Sequence, residues 1–337
     1  MRVLLGPINT AGSALRLANA LRREGIEAES AAVDNSNGGP LLWPTDRRLP
    51  RRWGGPAWDR HLSTFTHFLL WSGVSIRRSR RWFDEDALPG KAAIVATGSE
   101  FRIPGVHKQL EQWSPFGADA LSQKLTTYSA RWHRRLRRKP LPVFVHSPGM
   151  TDYGKSTWMP IIGYELPQKP LLKRRRPVVF YAPTNGLLKG AKYVTALKPD
   201  GYDLVYPTAG GLIPPPDVDR GLVESDVLIG GLVLGDYGLT EIEGMAAGRL
   251  VLANVGERVR SKMPAEPPIV HVTPDTLADT LADVLANRDK YRAIAEQGPA
   301  FVEKYHDGRY SVMQLRGFLN AGQPETIPSA RDVAYAV

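Results

Sequence analysis

The chain has 337 residues, 42% of them hydrophobic, and its 44 Lys and Arg against 34 Asp and Glu give a net charge of +10. That length leads to an expectation of two domains of about 150 residues, each with its own core. The absence of cysteine excludes disulfides and thiolate metal sites, and no apolar run reaches the ~18 residues of a membrane span.

The amino terminus, MRVLLGPINTAG, turns at a Gly-Pro pair too early for a signal peptide; it reads as a first strand, with a cytoplasmic protein as the expectation. Val3–Leu5 is that strand, Gly6–Gly12 (GPINTAG) a glycine-containing turn, and Ser13–Arg23 (SALRLANALRR) a helix with apolar residues at helical spacing. Asn35–Arg60 is rich in Gly, Pro and Trp and reads as a long loop. Further strands are expected at Phe68–Trp71, Ala92–Thr97 and Val143–His146. Ile161–Pro177 (IIGYELPQKPLLKRRRP), with prolines and a charge run, is the best linker. The rhythm then restarts, with strands at Val178–Ala182, Asp203–Tyr206, Val227–Ile229, Leu250–Asn254 and Ile269–Val272. Helices fit between them at Ala191–Leu197, Leu239–Ala247, Pro274–Leu285 and Arg288–Lys304. Strands alternating with helices point to an α/β protein with two Rossmann-like units facing across a cleft, 1–165 and 166–322, followed by a disordered tail at 323–337. Ligands of such sheets bind beyond the carboxyl ends of the strands, so the cleft is the expected site.

The basic residues are clustered at Arg47–Arg52, Arg77–Arg81, Arg131–Lys139 (RWHRRLRRK) and Lys173–Arg176, with Trp53, Trp58, Trp82 and Trp132 among or beside them. Such clusters suit a polyanion or an anionic membrane surface; solvated surface helices of an arginine-rich protein are the alternative.

One stretch carries specific chemistry: GDYGLTEIEGMAAGRLVLANV, Gly235–Val255. A strand ends at Asp226–Gly231, a loop follows, and Gly238 opens a helix whose first amides and positive dipole end suit a phosphate. Gly238 would let the backbone approach that phosphate, Glu243 could accept hydrogen bonds from a ribose diol, and Gly244, Ala246, Ala247 and Gly248 suit close packing on the sheet. Acids that merely complement the helix dipole are the alternative. This stretch resembles the signature E-G-F-G-L-x-x-x-E-A-M-A-x-G-x-P-V of GT-B glycosyltransferases of the large retaining, nucleotide-sugar-dependent family (glycosyltransferase family 4-like), with Gly238, Leu239, Glu243, Met245, Ala246, Gly248 and Val251 matching. The resemblance implies that Glu243 binds the donor ribose and that the backbone at Gly238 and Leu239 faces the pyrophosphate, with Asp236, Tyr237 and Thr240 beside them. The family's first glutamate, which contacts the donor sugar, falls on Gly235; Asp236 is adjacent but one position out of register.

Val178–Val194 (VVFYAPTNGLLKGAKYV) resembles the first strand and phosphate loop of the same family's second domain. There Lys189 matches the phosphate-holding lysine, and Asn185 stands near the place of an arginine. An ordinary surface lysine is the alternative. In the first half, Gly12 is the expected point of contact with donor phosphate or acceptor. Ala96–Arg102 (ATGSEFR) resembles H-G-S-D-I-R, with Gly98, Ser99 and Arg102 matching, Glu100 for the aspartate and Thr97 for the histidine. Glu100 is therefore a candidate catalytic residue, and the histidine's role could pass to His146 or His67, although strand-end histidines are commonly structural.

The function expected is transfer of a sugar from a nucleoside-diphosphate sugar, without cofactor or metal. The acceptor is left among a glycolipid at a membrane surface, a protein, a small metabolite and a nucleic acid. A nucleotide-sugar epimerase and a non-catalytic nucleotide- or polyanion-binding protein are the rival readings.

Overall fold

The computed structural model describes residues 1–33, 43–85, 87–163, 166–169, 171, 173–206 and 215–320. The expected tail at 323–337, and parts of the expected loop and linker, lie outside them.

The first half supplies β1 (Arg2–Gly6), α1 (Ser13–Arg23), β2 (Glu27–Val33), β3 (Arg47–Leu49), α2 (Pro56–Leu62), β4 (His67–Trp71), β5 (Lys91–Ala96), α3 (Pro104–Leu110), α4 (Ala120–Arg138), β6 (Val143–Val145) and β7 (Thr157–Trp158). The second supplies β8 (Val178–Phe180), α5 (Gly186–Lys189), α6 (Ala191–Thr195), β9 (Asp203–Val205), α7 (Pro215–Glu224), β10 (Val227–Ile229), α8 (Leu239–Ala246), β11 (Leu250–Ala253), α9 (Glu257–Arg260), β12 (Ile269–His271), α10 (Leu277–Ala286), α11 (Arg288–Ala295), α12 (Gly298–His306) and α13 (Arg309–Leu319).

Two parallel sheets result, in the orders β3-β2-β1-β4-β5-β6-β7 and β12-β11-β10-β8-β9. Their central strands read as continuous apolar runs because helices cover both faces: Val3, Leu4 and Leu5 are fully buried, as are Phe68, Leu69, Leu228 and Leu252. α1 buries Ala14, Leu17, Ala18 and Leu21 on one stripe and ends at Arg22 and Arg23, the charge that complements a helix carboxyl end. α13 ends the described chain, yet its Val312, Leu315 and Phe318 pack with Leu5, Leu17 and Leu69 of the first half.

Three features depart from the expectation. β2 joins the first sheet although its sequence, EAESAAV, lacks the apolar run of a buried strand; it pairs along β1 from Arg2↔Glu27 to Leu5↔Ser30. The expected loop Asn35–Arg60 contains β3 and the start of α2; β3 pairs with β2, and Arg47 closes an ion pair with Glu29. The expected helix Arg288–Lys304 is broken into α11 and α12 because Pro299 in QGP has no amide to donate and sits at the start of the second helix.

Candidate functional site

In the second sheet β8 lies between β9 and β10, so the chain reverses its direction of winding there. The loops leaving the carboxyl ends of β8 and β10 diverge and leave a crevice, the place where open parallel sheets take ligands. Those two loops carry Lys189 and Gly235–Gly238. The equivalent point of the first sheet falls between β1 and β4, whose loops carry Gly12 and Ser72.

Lys189 ends the short helix α5 and its ammonium lies 3.1 Å from Glu241 Oε1. That carboxylate also accepts from the Gly231 amide at 2.7 Å and, through Oε2, from the Gly238 amide at 2.9 Å. Gly238 caps α8, and Glu241 three residues on reaches back to it, half of a capping box. Burial alone would raise the pKa of this fully buried acid. The Lys189 ammonium and the amides outweigh it and hold the carboxylate below its ordinary value. The crevice is therefore a place where negative charge is stabilised. The Leu239 and Thr240 amides open the same helix and have no intrahelical acceptor. Gly244 lets α8 sit close on the sheet: a Cβ there would come within 2.5 Å of Leu228 Cδ2.

Glu243 is two residues beyond Glu241, about 200° around the helix, and points to the other side. It is buried, 3.8 Å from Arg16 Nη1 of α1. Arg16 lies over the Trp43 ring, and a Cβ on Gly12 would be 3.2 Å from that ring and 3.6 Å from Arg16 Nε. The start of α8 is thus flanked by Lys189 on one side and by Glu243, Arg16 and Gly12 on the other. Beside Arg16 and Ala246 a cavity of about 670 Å³ opens between α1 and α12. Asn185 uses its side-chain oxygen to cap α5, accepting from the Leu188 amide.

Asp236 and Tyr237 turn toward the first half. Asp236 is buried and accepts from the Gly149 amide at 3.1 Å and from the Tyr237 amide at 3.0 Å. Its burial pushes the pKa up to about 7, against the pull of Arg102 and Arg258. The Tyr237 hydroxyl meets His306 Nε2 at 3.2 Å; His306 Nδ1 donates to the Ile161 carbonyl, so Nε2 is the acceptor. The Tyr237 carbonyl accepts from Ser147.

Gly235, where the family pattern has glutamate, has φ +63°, and a Cβ there would fall 1.9 Å from Glu111 Oε1. A carboxylate from the end of α3 occupies the space a side chain at 235 would need. Arg258 of α9 grips Glu111 through Nε at 3.1 Å and through Nη2, while its Nη1 and the Lys262 ammonium both hold Asp152. His107 Nε2 donates to the Leu234 carbonyl at 3.2 Å. These contacts, spanning up to 147 residues of sequence, fasten the Gly235–Gly238 loop to the first half. Sequence reasoning missed Glu111, Asp152 and Arg258, and Arg16, because no local motif surrounds them.

The two candidate catalytic side chains sit at the carboxyl edge of the first sheet. Glu100 is buried, and its Oε1 accepts from the Thr97 amide, and from Ser72 and Thr97 hydroxyls at 3.1 Å. It ties the loops after β4 and β5 together. His146 follows β6, edge-on to Trp71, and burial pushes its pKa down to about 4, so its ring is neutral. His67 opens β4 and so lies at the opposite, amino edge, where it cannot take a role in the cleft. Among the described residues no three His, Asp or Glu side chains are grouped as metal ligands.

No protein-family model matches the chain, and no curated protein sequence does. Solved structures do. Sucrose-phosphate synthase from Thermosynechococcus elongatus aligns with 95% of this chain and 99% of its own, at 14% identity and a TM-score of 0.61. HepE of Anabaena, solved with UDP and glucose, aligns with 95% and 100%, at 11% identity and 0.58. An alpha-glucosyltransferase solved with UDP and a 13-mer DNA containing a HMU base aligns with 95% and 99%, at 9% identity and 0.56. The chain has the GT-B fold, which it shares with these structures.

Proposed function

We propose that the protein is a glycosyltransferase of the GT-B type that takes a nucleoside-diphosphate sugar, with UDP-sugars the first to test because HepE and the alpha-glucosyltransferase were solved with UDP. One observation carries this reading: a lysine, two loop amides and the opening of α8 converge on an anion at the winding reversal of the second sheet. In the resting protein that anion is Glu241. The donor diphosphate would lie against the remaining Lys189 hydrogens and the Leu239 and Thr240 amides. There positive charge is most useful as the diphosphate departs. Glu243 would hold the ribose, with the nucleoside in the cavity beside Arg16, and Gly12 would approach from the first half. Glu111, standing at Gly235, would supply the carboxylate that the second half lacks. The first half, 1–165, would present the acceptor to donor held by 166–322. No metal has a part in this scheme.

The test is a thermal-shift screen of UDP-, GDP- and ADP-sugars. One donor raises the melting temperature of the wild type, and Lys189→Ala and Glu243→Gln each remove the shift. A wild type that no nucleotide sugar stabilises contradicts the proposal. A donor that binds yet is neither transferred nor hydrolysed would leave a binding protein instead of an enzyme.

A further inference from the structure

All four basic runs are partly neutralised within the protein. Arg47 pairs with Glu29, Arg77 and Arg78 with Asp59, Arg174 with Glu224 and Arg176 with Asp203. The run on α4 differs in lying along one long helix. This 19-residue helix, ALSQKLTTYSARWHRRLRR, holds six Lys and Arg and no acid. Its ion pairs are Arg135 and Arg138 with Asp84 and Arg135 with Glu85. Among the described residues no carboxylate pairs with Lys124, Arg131, Arg134 or Arg137, and all four are exposed.

The opposite side of α4 explains why the helix holds this orientation. Trp132 is fully buried, donates to the Ser72 carbonyl at 3.1 Å and packs on Phe83 and Phe101. With that anchor inside, Arg131, Arg134 and Arg137 fall on the side of the helix away from Trp132 with Lys124 at its margin, and Lys124 to Arg137 spans about 20 Å. Like charges held this close repel one another, and an external polyanion would relieve that repulsion.

We infer that the outer face of α4 is a docking surface for the phosphodiester backbone of a nucleic-acid duplex. Duplex DNA carries one charge per about 1.7 Å of axis, about twelve over the length of this row, so each of its four cations can meet a phosphate, and guanidinium forks suit phosphate oxygens. A lipid surface fits less well. Interfacial helices bind by burying apolar side chains as well as by charge, whereas the exposed large apolar residues, Met1, Leu110, Leu187 and Val205, include none on α4. The inference does not depend on the transfer chemistry proposed above.

Fluorescence anisotropy of the full-length protein with a labelled 30-base-pair duplex tests it. Four phosphate contacts give a slope of log affinity on log salt of about −3.6, or about 150-fold weaker binding between 50 and 200 mM salt. The triple variant Arg131→Gln, Arg134→Gln, Arg137→Gln leaves one contact and a slope near −0.9. The triple lysine variant keeps the wild-type slope. Circular dichroism melts check that both variants are folded. No binding by the wild type at 50 mM salt overturns the inference, as does a glutamine triple with an unchanged slope. Pelleting with phosphatidylglycerol vesicles that the glutamine triple abolishes, without duplex binding, would replace the nucleic acid with a membrane.

Discussion

Gly235→Ala is the sharpest probe of how the two halves are fastened. An alanine at φ +63° costs about 1 kcal/mol in backbone strain. Its Cβ would also stand 1.9 Å from Glu111 Oε1, well inside contact distance, so the carboxylate must leave its place and its bonds to Arg258. Losing a charge-assisted hydrogen bond of a partly buried pair costs about 2 kcal/mol. The single variant should therefore lose about 3 kcal/mol, Glu111→Ala alone about 2, and Gly235→Ala added to Glu111→Ala only about 1 more. Urea denaturation of the four proteins in a double-mutant cycle should give a coupling of about 2 kcal/mol. Additive losses, within about 0.5 kcal/mol, would refute the claim that Glu111 fills the volume beside residue 235.

Asp236 ionises near 7 in the folded chain and near its ordinary value when unfolded, so its contribution is full at low pH and is lost as pH rises through 7. Asp236→Asn should thus gain on the wild type between pH 4 and pH 8, by at most about 4 kcal/mol, in denaturant melts across that range; a constant difference would contradict it. Burial, the dominant cause, pushes His107, His146 and His306 down to about 4, so the unfolded chain takes protons first and stability falls from pH 6.5 toward pH 4. NMR titration should find those imidazoles neutral at pH 6, and any one of them charged there would be a failure. Glu241→Gln leaves Lys189 without its carboxylate partner in a largely buried place and should cost about 3 kcal/mol in the same melts; an unchanged midpoint would show that the pair does not support α8.

Much of this fold could be read along the chain because doubly wound sheets repeat a local rhythm. The strand Val227–Ile229 and the helix Ser13–Arg23 lie where their apolar spacing puts them. β2 escaped because alanine and serine fill its buried positions, and β3 because its side chains are largely arginine. For the site, Lys189 and Gly238 were legible from short patterns and do converge. Glu241 was not, since a capping box and an anion-holding site look alike until Lys189 is seen on the same carboxylate. Glu111 and Arg258 meet across 147 residues, and nothing in local spacing could pair them. At Gly235 the chain shows only a missing glutamate, whereas the structure shows another acid in the vacant space.

The central claim concerns a diphosphate at Lys189 and the start of α8. Calorimetric titration with UDP and with UMP tests it most directly, because the two differ only in the phosphate that this charge would hold. UDP should bind roughly 10- to 100-fold more tightly than UMP, the equivalent of one or two charge-assisted hydrogen bonds, and Lys189→Ala should bring the two affinities together. Equal affinities in the wild type, or a preference for UDP that survives the loss of Lys189, would contradict the account.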